Sequence, residues 1–365
     1  MCDNLPLCEQ FFNIIGKDYE DNIEVRFSFS PDQQNVKDNI FISESKNLAE
    51  IICFKSTLAK LFIESHTFFE KYLKNNNELI GSLQCFYCTI GMLVTAPSHQ
   101  TILNIHEKIL RNLMVILPEQ EKSILFQQEV NFCERILSST SNRLNKSSIF
   151  WLYYKKLFII YCHNFPHLDF SFARTIIKSA ELHLSNYYCW NTARWYFDIV
   201  AIEGKTDLFN KALEYSISHV SDISSWDFLT YVTRQIYSTD KNISFFNESC
   251  RLQNNMNLSR NYFQFNFEKI SAPNLGEISE KVFHLIDYCG ISSLPPFLFL
   301  LNLNQLYNNI FTEKKKNSWK NDISIFEEKF GSITLGYIHQ GSNTPLDPIL
   351  SYSNVKYKKY ILSKI

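Results

Sequence analysis

A few groups of residues in this 365-residue chain have the types and spacing to carry chemistry. Cys85-Phe-Tyr-Cys88 has the spacing of half a zinc site. A zinc ion takes about four ligands, though, and no second pair follows. The two thiols fall in an apolar helical pattern, where free cysteine packs as a small hydrophobe. Cys162 and His163, with His167 beyond, also offer metal donors, but Asn164 to Pro166 reads as a helix end. No metal ligand set is therefore expected. No glycine-rich phosphate loop and no Ser/His/Asp arrangement can be drawn from the spacing. Lys146 stands in a polar stretch ahead of Trp151, where a lysine by itself reads as solvated. Lys314 to Lys316 and Lys356, Lys358 and Lys359 form basic runs in the tail, which read as a solvated face or as an approach to an anionic membrane.

The elements that must position such residues are helices. The chain is 45% hydrophobic and 15% aromatic, enough for a large core. Its 9 Gly and 10 Pro are few, which favours long helices and short loops over strand-rich folds. With 36 basic and 37 acidic residues, the net charge of -1 gives no general attraction to nucleic acid. No stretch approaches the roughly 18 apolar residues that a membrane helix needs. The start shows no secretory signal, so a soluble, cytoplasmic chain with ten reduced cysteines is expected.

Self-similarity gives the organisation. Lys146 to Lys156, Ser185 to Trp195 and Ser221 to Tyr231 align on Trp151, Trp190 and Trp226, at spacings of 39 and 36 residues. A weaker copy puts Leu103 at the same place, 48 residues before Trp151. Each copy has a polar capping residue, Ser185 in the third, and then an apolar helix. Phe132, Cys133, Ile136 and Leu137 share one face of a preceding helix, as do Phe172, Ala173, Ile176, Ile177 and Ala180. Trp190, Ala193 and Phe197 follow the helical period. Such hairpins bury their stripes only by stacking, which predicts an all-α fold: an alpha-alpha superhelix of helical hairpins with the repeat Trp as core wedge. Residues 1–80 read as an N-terminal cap in which alternation over 22–44 predicts a short β-hairpin. Residues 81–306 hold the repeats, interrupted by an Asn/Ser-rich connection at 238–278, and 307–365 form a C-terminal helical cap or tail.

Asn186-Tyr-Tyr-Cys-Trp190, with Trp195 beyond, resembles the protein prenyltransferase alpha-subunit repeat family. His219-Val-Ser-Asp222, Thr101 with Asn104, and Lys146-Ser147 are similar to the branch of the type III geranylgeranyltransferase alpha subunit, in a divergent fungal form. The resemblance implies a transferase subunit that works as a heterodimer. Its partner would be a prenyltransferase beta subunit, shared with Rab geranylgeranyltransferase, that holds the zinc; no cofactor is implied in this chain. The pair would transfer an isoprenoid to a cysteine of a trafficking protein such as a Golgi SNARE. Lys146 would supply the cation for the departing diphosphate. Asn186, Tyr187 and Tyr188 would face the partner and substrate, or else form a helix start with tyrosines packed between hairpins. The arginine of the family motif is absent: His106, Tyr154, Ala193 and Leu229 occupy its place, and either packing or Lys155 and Arg194 must do its work. The competing expectation is a non-catalytic helical-repeat scaffold with an indirect role in cell-wall or cell-surface organisation.

Overall fold

The computed structural model describes residues 5–20, 23–32, 39–73, 82–237, 243–258, 274–307, 309–335 and 346–365. Sixteen α-helices and three strands are defined among them. The chain divides into two compact units, Met1–Thr192 with Ser249–Tyr262, and Ala193–Glu248 with Phe263–Ile365.

In the first unit, α1 (Pro6–Gly16) precedes β1 (Glu24–Ser30), β2 (Ile40–Glu44) and β3 (Leu48–Phe54). The alternation that predicted a hairpin does mark strands: Phe27, Ala49, Ile51 and Cys53 are buried on one face. The first two strands do not pair with each other, however. The order is β1-β3-β2, with β1 parallel to β3 and β2 antiparallel to it, so the short N-terminal hairpin is β2–β3. Alternation reports which face is buried, not which neighbour supplies the hydrogen bonds. The sheet leads into α2 (Lys55–Phe68), then α3 (Leu83–Thr95) and α4 (Gln100–Ile116). α3 is apolar on nearly every side and packs against α1, α2 and α4. Close approach is built in at Gly91, where a Cβ would lie 2.7 Å from Cys8 Sγ. α5 (Glu119–Leu137), α6 (Asn142–Asn145), α7 (Ser148–Asn164) and α8 (Phe172–Leu182) follow, and α9 (Tyr187–Ile199) runs across the division between units.

The second unit contains α10 (Ile202–Ser218), α11 (Ile223–Tyr237), α13 (Leu275–Asp287), α14 (Pro295–Leu306), α15 (Glu313–Phe330) and α16 (Leu346–Leu362). α12 (Ser244–Asn255) lies inside the stretch expected to be a connection. Its end, from Leu275, already belongs to α13, and 238–242 and 259–273 are outside the described residues. The pairs α10–α11, α13–α14 and α15–α16 are in contact across short connections or consecutive placement, so the chain is predominantly a set of packed helical hairpins.

The repeat has a local cause. In each copy the capping residue stands four positions before the aligned residue, and its carbonyl accepts that residue's N–H. Ser147 accepts from Trp151 at 3.1 Å, Asn186 from Trp190 at 3.1 Å and Asp222 from Trp226 at 3.4 Å. His99 does the same for Leu103 at 3.2 Å. Side chains complete the caps: Ser147 Oγ accepts from Phe150 N, Asn186 Oδ1 from Cys189 N, and Asp222 Oδ1 from Ser224 N and Ser225 N. Asn186, not Ser185, caps α9; Ser185 takes a left-handed backbone at φ 55° instead. Trp151, Trp190 and Trp226 are all buried.

Tail lysines hold the second unit together. Asp287 of α13 pairs with Lys315 at 2.9 Å and Lys358 at 3.1 Å and accepts from Trp319 Nε1 at 2.8 Å. Burial alone would raise its carboxyl, but these donors hold it below the usual range. Lys358 also reaches Asp322, and Lys359 reaches Glu327. Among the described residues no helix is long and apolar enough to cross a membrane.

Asp198 lies buried in this unit, accepting from Tyr231 Oη at 2.6 Å and Gln235 Nε2 at 3.2 Å. Burial pushes its carboxyl up from 3.8 to about 6. The folded state therefore prefers the protonated form. Its contribution is fully present below about pH 4 and is lost as pH rises through about 6. Between pH 4.5 and 7.5 the wild type is expected to lose about 2 kcal/mol of unfolding free energy through this group. Urea midpoints of Asp198→Asn should lack that step; a step of equal size in the variant would assign it elsewhere.

Candidate functional site

On β1, Phe27 turns to the core, while Glu24, Arg26 and Ser28 turn outward. On α8, Phe172, Ala173, Ile176 and Ala180 are buried, which leaves Arg174, Lys178 and Glu181 along another face at helical spacing. The end of α5 adds Asn131, Glu134, Arg135 and Ser138. These three surfaces border a cleft with two lobes. The first, about 100 Å³, is polar and holds Glu134, Arg135, Arg174 and Lys178. The second, about 400 Å³, is lined mainly by apolar surface and runs along Glu24 to Ser28, with Ile52, Thr140, Lys178 and Leu182 beside it. Val25, Ser138 and Lys178 line both lobes.

Most polar groups of the first lobe are already engaged. Glu134 accepts from Tyr154 Oη at 2.7 Å and Ser171 N at 3.0 Å. Burial raises its carboxyl, against the pull of those donors and of Arg135 and Arg174. Arg135 donates to Ile15 O and lies over the Tyr19 ring at 5.1 Å; burial lowers it to about 10. Arg26 pairs with Glu24 through two bonds of 3.0 and 3.2 Å. Lys178 is different. Burial lowers it first and neighbouring Arg174 second, against the pull of Glu24 and Glu181, and no carboxylate among the described residues lies within direct ion-pair distance. Shifted groups gathered in a cleft mark a functional site.

The residues singled out from sequence lie elsewhere in the same unit. Lys146 closes α6 and donates to Leu184 O at 3.4 Å. Asn186 is buried in a node with Asn145 and Ser179, donating to Asn145 Oδ1 and to Ser179 Oγ at 3.3 Å, while Trp151 Nε1 donates to Asn145 O at 2.7 Å. Tyr187 and Tyr188 are exposed and meet edge to face at 5.5 Å. Lys146 thus meets the segment just before α9, and neither it nor Asn186, Tyr187 or Tyr188 borders the cleft. Two positions of the missing arginine do tie helices together. His106 bonds Thr89 of α3 at 2.8 Å and Glu129 of α5 at 3.0 Å, and Tyr154 reaches Glu134. Ala193 and Leu229 are packed in the core, and Arg194 reaches Asp227 at 2.5 Å. Cys85 and Cys88 are buried free thiols, Cys88 Sγ donating to Ser65 O at 3.2 Å. Among the described residues no group of three His, Cys, Asp or Glu is placed to hold a metal ion. Sequence reading missed the cleft, although Glu134 signals it as an acid beside the apolar stripe of α5.

Comparison with known proteins gives the family. Residues 1–138 match the ECM9 N-terminal domain, 150–256 the ECM9 middle domain and 276–365 the ECM9 C-terminal domain. Over its whole length the chain is 31% identical to Protein ECM9 of Saccharomyces cerevisiae, covering 97% of that protein. These matches overturn the resemblance to the prenyltransferase alpha-subunit repeat family and to the type III geranylgeranyltransferase branch. Isoprenoid transfer to a trafficking protein falls with it. The misleading signal has a physical origin: a capping residue four positions before a buried Trp starts a packed helix in any hairpin array. The diphosphate role of Lys146, and the zinc-bearing partner, rested on that resemblance alone. The cleft joins segments of two matched domains, with β1 and α5 in the N-terminal match and α8 in the middle one.

Proposed function

The chain belongs to the ECM9 family, and we propose that it works there as a binding protein whose cleft between β1, α5 and α8 holds an acidic ligand. The carrying observation is Lys178, a half-buried cation with no direct ion-pair partner among the described residues, set where the two lobes meet. A desolvated cation of this kind gains more from an incoming carboxylate than a solvated one does. Glu134 and Arg135 are held by their own neighbours, so they shape the lobe. The two-lobed form, a polar end beside a larger apolar trough, suits a ligand with an acidic group and an apolar body.

Photo-crosslinking in the cell of origin tests this. A photoreactive residue at Leu182 should give a discrete adduct that Lys178→Glu abolishes, while the same group at Tyr288, exposed in the second unit, gives none. An adduct pattern unchanged by Lys178→Glu would count against the cleft.

A further inference from the structure

We propose that the cleft takes its ligand as an added β-strand: an extended peptide pairs with the outer edge of β1 and sets an acidic side chain beside Lys178. The inference rests on the binding reading above and specifies its ligand.

The backbone supplies the first argument. β1 is an edge strand, paired only with β3. Glu24 N donates to Asn47 O on the β3 side at 2.9 Å. In a strand successive residues turn their backbone groups to opposite edges, so Val25, Phe27 and Phe29 present theirs outward. Phe29 N is taken up by Thr140 Oγ1 at 3.4 Å, which closes one end. Among the described residues nothing takes up the outward groups of Val25 or Phe27. Exposed edges of this kind are templates for another strand unless they are blunted. Here the edge runs along a groove of about 400 Å³, with α8 as the far wall. β2, at the sheet's other edge, contributes nothing to the lining.

Side chains supply the second. Glu24, Glu50 and Glu181 also line the groove, but Glu24 is paired with Arg26, and Glu50 and Glu181 are exposed, where water already stabilises them. Lys178 is half-buried and has lost part of its hydration, so the larger gain comes from a ligand carboxylate, not a ligand cation. Leu182 offers apolar surface for an alternate side chain of the same strand.

The test uses the full chain and three fluorescein-labelled heptapeptides of alternating Val and Thr: one with a central Glu, one with Lys there, and the Glu peptide N-methylated on alternate amides. Anisotropy should show saturable binding of the Glu peptide. The Lys twin, and the Lys178→Ala protein with the Glu peptide, should each bind about fivefold more weakly. N-methylation removes strand hydrogen bonds and should cost about tenfold or more. Hydrogen exchange should slow at Val25 and Phe27 on binding. Equal binding of the N-methylated peptide, or protection at β2 instead, overturns strand addition and leaves the acidic-ligand reading intact. Equal binding of the Lys peptide overturns both. No binding of any peptide at about 1 mM, where even weak contacts register, also overturns strand addition. Lys178→Arg, which keeps the charge, should retain binding and exclude a folding defect as the cause of loss in Lys178→Ala.

Discussion

Replacing Glu129 by alanine is expected to lower the unfolding free energy by about 3–5 kcal/mol, as a fall in the urea midpoint at unchanged slope. Glu129 and His106 are both fully buried, and their side chains meet at 3.0 Å between α4 and α5. The other ring nitrogen is fixed by Thr89. That hydroxyl lies 2.8 Å from Phe86 O and donates its one proton there, so it accepts from His106 Nδ1. With Nδ1 protonated, Nε2 and Glu129 must share a proton, as an imidazolium–carboxylate pair or as ring and carboxylic acid. Alanine leaves Nε2 without its partner among the aromatic rings around it. Phe86 lies 4.9 Å and Tyr153 5.4 Å from the imidazole, ring centre to ring centre. Glu129→Gln keeps an acceptor and should cost only about 1–2 kcal/mol. The double change His106→Phe with Glu129→Leu removes both polar groups and should recover most of the loss. A Glu129→Ala protein less than about 1 kcal/mol below wild type would mean that the pair does not hold α4 to α5.

That pair shows where sequence reading succeeds and where it stops. The buried stripe of α8 and the Trp positions of α7, α9 and α11 were legible because helical period and burial follow from neighbours a few residues apart. Strands near 24–30 and 40–44 were legible for the same reason. Their pairing was not, because the intervening partner β3 follows both in sequence. His106 was visible as a departure from a motif, but its partner on α5 was not, since nothing local links positions 106 and 129. The cleft is harder still. Arg26, Glu134, Arg174 and Lys178 are ordinary surface-type residues, spread over about 150 positions, and only the fold gathers them. Tail lysines taken for a solvated face or a membrane approach likewise show their role only when Asp287 and Asp322 arrive beside Lys358.

The second buried pair should respond asymmetrically. Lys156 of α7 and Glu107 of α4 form a direct ion pair in which their side chains are only 11% and 7% exposed. Glu107 has another cation within reach, Arg111 at 3.7 Å, whose own side chain is 36% exposed. Glu107→Ala leaves the Lys156 ammonium in the interior without its counter-charge, and is expected to cost about 3–5 kcal/mol. Lys156→Met keeps the packed stem and removes the charge. Glu107 then turns to Arg111, which water already screens, so the loss should be about 1 kcal/mol or less. Urea titrations of the two variants at low and high salt separate the causes. Desolvation of a stranded charge depends little on ionic strength, whereas the Arg111 contact weakens with salt. Equal losses in the two variants would show that attraction across the pair, not the cost of an uncompensated buried charge, sets its contribution to holding α4 against α7.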